Sequence, residues 1–444
     1  MRRNRQTSVG LGLIAILGLT AAACGGDDDA AGGSSGGETA TFESPQEGVS
    51  RDRVDVGVIY DQTGATASTQ TVFFAGIESY VERINREGGV NGRQINLLEE
   101  DEKYDVPTAV AAYNKLVNQT PTVALMALNN SSFQGAVIGD VAEDEIPIVG
   151  AESTTQAAVN PFNPWFFALQ CTYTDQADVA VAYLINKTGI DEPTAVALYG
   201  DVASGQEWSG LIEERIDAAG GEFLGGISIT YGSTEADAQA QQIASLDPDM
   251  IFLHGGTSIG VPALTSLEKF GVTDTPIAGI FALETVPVAE ASEAVGANFS
   301  AINCYSAANQ PGIAGAEQLI ADAEANGVSE DVYTATDFAN GYVSAMVLVE
   351  GLERAGDELT RASLADALET IEDLETEGLS PNVTFGPDDR IGIASVRPYE
   401  FDYDQGIYVP VGEYEDFSDC ITNQYVTESI DTWDPTCASE VASS

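Results

Sequence analysis

The chain has 444 residues, 44% of them apolar, and its 70 Asp and Glu outnumber 17 Lys and Arg to leave a formal net charge of −53. Such a polyanion repels phosphate backbones and anionic membranes, so nucleic acid is a poor partner. One histidine, His254, disfavours Ser-His and Cys-His catalysis and any multi-histidine site, so the expectation is no enzyme, no metal and no cofactor.

The first element is an address. Arg2, Arg3 and Arg5 precede an apolar run at 11–19, and Ala21-Ala22-Ala23 lead into Cys24. Basic head, apolar middle and small-residue end make an export signal over 1–23. The run is shorter than the ~20 residues that span a bilayer. Small residues before a cysteine resemble a bacterial lipobox, with Cys24 lipidated at the outer face of the cytoplasmic membrane. Ala21 stands where a lipobox usually has leucine, and ordinary cleavage after Ala23 is the alternative. Residues 24–52, rich in Gly, Ser and Asp, read as a flexible linker. No later segment is long and apolar enough to cross a membrane. The acid is spread along the chain, as a solvated surface or as an adaptation to salt.

From Val54 onward, short apolar runs alternate with helical spacing. The spacing predicts strands at 54–60, 93–99, 122–128 and 146–149, with helices at 72–87, 107–119 and 133–143 between them. Gly88-Gly89 stop the first helix, and Pro107 suits a first turn. The pattern then repeats. Helices are expected at 175–188, 205–219 and 234–246, and strands at 195–198, 223–230 and 250–253. Alternation of this kind specifies an α/β fold of two doubly wound parallel-sheet lobes side by side, with a cleft between them.

Several ordered motifs point further. Thr63-Gly64 follow the opening strand. Ile84-Asn85 run through Gly88-Gly89-Val90-Asn91-Gly92 to the second strand. Asn130-Ser131-Ser132 stand at a strand-to-helix turn, and Ile146-Pro147-Ile148-Val149 lead to Ser153-Thr154. A long helix at 342–356 is followed by Thr384-Phe385-Gly386-Pro387 and a terminal hairpin. In this order they resemble the type I periplasmic binding proteins, specifically the leucine/isoleucine/valine-binding branch of ABC importer receptors, over about 54–411.

The resemblance implies a three-crossing hinge near 169–171, 303–305 and 385–390. Lobe one is then 53–170 with 305–385, lobe two is 171–304 with 386–417, and 418–444 is an acidic extension. It implies an exported lipoprotein that closes on an amino acid or similar small polar solute, an amide or a urea for example, and delivers it to an ABC permease. A ligand-sensing receptor for a signalling partner would share these features.

In open parallel sheets ligands bind beyond the carboxyl ends of the strands, which selects the strand-to-helix loops. Ser131 matches a family serine that holds the ligand's carboxylate. Ser132 is either its neighbour in the site or only the cap of the following helix. Thr154 matches a family threonine, with Ser153 and Glu152 beside it. Glu152 stands where the family has a small residue, and either points to solvent or meets a cationic ligand group. Ser204 and Thr257 occupy positions where amino-acid binders have tyrosine, against branched-chain specificity. Glu284 is a candidate partner for an ammonium group. Trp208 and Phe281 are either an apolar wall or core, and His254 reads as a strand-end residue beside the cleft.

With Cys24 lipidated, four cysteines remain in an oxidising setting, as two bridges or as buried free thiols. The crossings implied by the resemblance put Cys171 and Cys304 on neighbouring inter-lobe strands. The expected pairs are Cys171–Cys304 and Cys420–Cys437.

Overall fold

A computed structural model describes residues 40–412 and Tyr414. Cys24, Cys420 and Cys437 fall outside the described residues. The first half of the fold runs β1 (Arg53–Tyr60), α1 (Ala67–Glu87), β2 (Gln94–Asp101), α2 (Val106–Asn118), β3 (Ala124–Ala127), α3 (Ser131–Glu143), β4 (Ile148–Ala151), α4 (Gln156–Val159) and β5 (Phe166–Phe167). These strands form one parallel sheet in the order β2-β1-β3-β4-β5. Apolar strands buried on both faces are what such a sheet requires, and β3 and β4 are buried throughout.

The chain then enters a second sheet. Its elements are α5 (Tyr173–Thr188), β6 (Thr194–Gly200), α6 (Ala203–Ala218), β7 (Glu222–Ile229), α7 (Asp237–Leu246), β8 (Met250–His254), α8 (Thr257–Lys269), β9 (Ile277–Ile280), α9 (Val286–Glu293) and β10 (Phe299–Asn303). Four helices follow, α10 (Ala316–Ala325), α11 (Glu330–Tyr333), α12 (Thr336–Ala355) and α13 (Arg361–Glu369), before the hairpin β11 (Arg397–Asp402) and β12 (Ile407–Pro410). The second sheet reads β12-β11-β10-β9-β8-β6-β7, and only its hairpin edge is antiparallel.

Helix α12 packs on α1 and β4 of the first lobe, so the chain crosses between lobes after β5, after β10 and before β11. Ala168 pairs with Ile391 beside the first of these links. Cys171 and Cys304 are bridged, with Cα atoms 6.1 Å apart, which joins the first two. No helix among the described residues is long and apolar enough to cross a membrane.

Two boundaries differ from the sequence pattern in ways that shape the cleft. Helix α1 begins at Ala67, five residues before the expected start. The Asp61 carboxylate accepts from the Gly64 and Thr66 amides and the Thr66 hydroxyl, which organises the turn and lets the helix begin early. Strand β3 ends at Ala127, where φ reaches 72°, and Leu128 follows at 51°. That left-handed pair turns the chain sharply into Asn129 and the start of α3.

Candidate functional site

The carboxyl ends of β1, β3 and β4 face those of β6, β8 and β9 across the inter-lobe cleft, and two cavities lie there. The smaller, about 50 Å³, is walled by Thr66, Thr69, Gln70, Tyr104, Asn129, Glu152 and Ser153 from one lobe. From the other come Tyr173, Ser204, Tyr231, His254 and the 280–282 turn. The larger, about 460 Å³, lies further along the cleft. Thr69 borders both, and Thr257, Glu284, Thr285, Asp337 and Tyr408 line the second.

Around the smaller cavity the lobes touch. Ser131, first residue of α3, donates its hydroxyl proton to Ser204 Oγ at 3.0 Å and accepts from the Ser204 amide at 3.1 Å. Ser132 Oγ accepts from the Ala203 amide at 3.4 Å. The starts of α3 and α6, one from each lobe, therefore meet through hydroxyls. Asn130, not Ser132, caps α3, its side chain accepting from the amides of Ser132 and Phe133. An asparagine two positions earlier outcompetes the serine because its carbonyl reaches both orphan amides. Ser153 and Tyr173 hydroxyls are 3.2 Å apart, and the Tyr104 and Tyr231 rings meet at 4.8 Å.

His254 Nε2 lies 3.1 Å from Ser204 Oγ, so the lone histidine does stand beside a serine. Burial holds its pKa down, to about 3, so the ring is neutral at physiological pH. Its Nδ1 has no hydrogen-bond partner, and therefore no acid orients it as a triad would require. The pair is a hydrogen-bond contact in the cleft wall.

Glu152 does not point to solvent: it is 5% exposed. Its Oε2 accepts from Gln70 at 3.2 Å, and its carboxyl lies within hydrogen-bonding reach of Asp337. Burial first, then the neighbouring Asp337, push its pKa well up. Burial likewise raises Asp337 to about 7, with Glu152 acting in the opposite sense. Glu284 is buried beside them. Desolvation raises it, the Asn303 amide lowers it and Asp337 raises it further.

The expected residues thus divide. Glu152, Ser153 and Ser204 line the smaller cavity, and Thr257 and Glu284 the larger. Ser131 and Ser132 join the inter-lobe contact. Thr154 is buried, its hydroxyl unpartnered, and it lines neither cavity. Trp208 is fully buried core, whereas Phe281 lines the smaller cavity. Gln70, Tyr104, Tyr173 and Tyr231 were missed by the sequence pattern. Tyr104 and Tyr231 follow the ends of β2 and β7, where the strand-end rule points. Gln70 is aimed at the cleft by the early start of α1.

A family profile described as periplasmic binding protein matches residues 53–406. Among curated relatives, the Leu/Ile/Val-binding protein of Citrobacter freundii is 25% identical over 207 residues, covering 46% of this chain and 54% of that protein. The chain spans little more than half the length of the first such relatives it matches. The Leu/Ile/Val-binding protein BraC3 of Rhizobium johnstonii is 22% identical over 79% of this chain and 92% of its own length. Among solved structures, a fatty acid ABC transporter substrate-binding protein from Thermomonospora curvata aligns with a TM-score of 0.74 at 21% identity, covering 85% and 95% of the two chains. A branched chain amino acid ABC transporter from Thermus thermophilus with bound valine aligns with a TM-score of 0.75 at 15% identity, covering 82% and 97%.

Proposed function

The chain belongs to the periplasmic binding protein family, and from that premise we propose that it is the exported solute receptor of an ABC importer. It captures an amino acid or a similar small polar solute by closing its lobes, and it performs no catalysis. One observation carries this reading. The smaller cavity is walled by both lobes, and two buried polar atoms at its rim, Asn129 Nδ2 and His254 Nδ1, have no hydrogen-bond partner. Groups of this kind cost about 1–3 kcal/mol each when left unpaired, and a polar solute would pair them. The names of the relatives, Leu/Ile/Val-binding proteins among them, support the same class.

In this proposal lobe one is 53–170 with 305–385 and lobe two is 171–304 with 386–417, the start of the last segment serving as the third link. Glu152, Ser153 and Ser204 contact the solute, with Thr257 and Glu284 in the adjoining cavity. Ser131, Ser132 and Thr154 shape the closed wall. Solute binds more tightly to the closed form because only there do both lobes contribute. A panel of amino acids, amides and urea, tested by thermal shift and small-angle scattering, checks this. At about 100-fold excess over Kd a true solute adds about 2.7 kcal/mol, and it should compact the chain. If no panel member raises the melting point or compacts the molecule, the receptor function is wrong.

The Ala21-Ala22-Ala23-Cys24 sequence supports lipid anchoring after export. Cys24→Ala should release the protein from the membrane fraction. Unchanged retention would reject the anchor without touching the receptor function.

A further inference from the structure

Neither cleft cavity is lined by a lysine or an arginine. Carboxyl groups stand there instead, Glu152 on the smaller and Glu284 and Asp337 on the larger. They are 5%, 4% and 6% exposed. Their hydrogen-bond partners are amides and one another, not cations. Glu284 Oε2 accepts from the Asn303 amide at 2.9 Å, and Oε1 has no donor. Glu152 Oε2 accepts from Gln70, and its other oxygen has no donor. Glu152 and Asp337 satisfy one another only by sharing a proton, because two carboxylates offer acceptors alone. Without a cation, burial makes these carboxyls retain protons, and a bound cation would let them ionise.

The basic group that acts on Glu284 is Arg397, but its guanidinium is engaged elsewhere. It stacks on the Tyr399 and Tyr414 rings and donates to the Tyr399 and Ser306 hydroxyls. Buried acids without a cation are costly, and a cation from solution relieves that cost. A carboxylate-bearing solute meets the opposite conditions. Ser131, the hydroxyl expected to receive a carboxylate, is already bonded to Ser204.

We propose that this cleft selects an organic cation carrying amine nitrogens and no carboxylate, a short diamine being the simplest example, with its nitrogens set among Glu284, Asp337 and Glu152. The inference rests on the receptor function proposed above and narrows its solute class. The polyanionic surface acts in the same direction, because it raises the local concentration of cations around the cleft.

Calorimetry on the full chain with 1,4-diaminobutane and L-leucine tests this. The diamine should bind at least about tenfold more tightly than leucine, the least that one charge-assisted contact supplies. Glu284→Gln and Asp337→Asn should each weaken the diamine by a similar factor. Both replacements are isosteric amides, and melting curves establish that each variant folds, so one folded variant suffices. Leucine binding as tightly as the diamine, no diamine binding at millimolar concentration, or a folded variant with wild-type diamine affinity would each overturn the assignment. Leucine that compacts the chain and binds as tightly as the diamine would remove the cation preference and leave the receptor function standing. No compaction with either probe or with the wider solute panel would remove both.

Discussion

Glu102 shows what one side chain can cost and why a sequence does not reveal it. It follows β2, is completely buried, and neither oxygen receives a well-aligned hydrogen bond. Burial pushes its pKa up to about 8, Asp61, Asp101 and Asp105 push the same way, and the Asn130 amide offsets only part. The folded chain therefore keeps a proton that the unfolded chain releases near pH 4.5. Stability from this group is full below that pH, falls as pH rises towards about 8, and is level beyond. The slope is at most about 1.4 kcal/mol per pH unit. Glu102→Gln should melt with the wild type at pH 4.5 and be more stable by roughly 2–4 kcal/mol at pH 8.5. A pH-independent difference between the two would mean that the carboxyl is ionised or solvated in the folded chain. In the sequence Glu102 is one acid among 70 and carries no mark of burial. Glu152 was legible as a departure from the family pattern, but its direction was not. Its partners come from distant elements, Gln70 on α1 and Asp337 on α12, which no local pattern announces.

At the level of elements, the strand-helix alternation was legible because parallel sheets demand continuous apolar strands, and β1, β6 and β8 show them plainly. Boundaries set by side chains from elsewhere were not. The start of α1 depends on Asp61, and the end of β3 on two positive φ angles at residues with ordinary side chains. Helices α8 to α10, and the strands β9 and β10 among them, had no assigned pattern at all. The contact between α1 and α12 rests on a feature that sequence offers only as two glycines. A Cβ at Gly76 would lie 2.1 Å from the Phe338 carbonyl oxygen, and one at Gly341 only 1.9 Å from that of Phe73. The backbones approach too closely for any side chain, and this face fixes the helix that carries Asp337. Gly76→Ala gains helix propensity of roughly 1 kcal/mol, but it must push two helices apart, and overpacking costs about 1–3 kcal/mol or more. The expected net result is a lower midpoint in urea. A midpoint at or above the wild type would show that the two helices can separate freely.

Among the described residues two sheets are joined by three links, and a disulfide bridges the first two. Cys171 and Cys304 are 133 residues apart in sequence, yet their Cα atoms lie 6.1 Å apart where the chain leaves and re-enters the first lobe. This pairing was legible only through the resemblance, because residue spacing alone allows three connectivities among four cysteines. Gln170 stands beside the bridge, its amide within 3.5 Å of Cys304 Sγ, while its carbonyl accepts from Asn340 of α12 at 2.7 Å. The bridge is thus close to the helix that carries Asp337, and it joins two of the inter-lobe links. In the closing motion proposed above, the links form the axis, and a cross-link there restricts the unfolded chain strongly and rotation of the lobes weakly. Replacing both cysteines by serine should cost about 2–5 kcal/mol of stability, read from urea midpoints under oxidising conditions. Solute-induced compaction measured by scattering should persist in that variant. Peptide mapping of the wild type should recover the Cys171–Cys304 pair, and we propose that it will recover Cys420–Cys437 beside it. A variant as stable as the wild type would mean that the links are held by packing alone. A folded variant that no longer compacts would make the bridge part of the closing motion instead of its fixed axis.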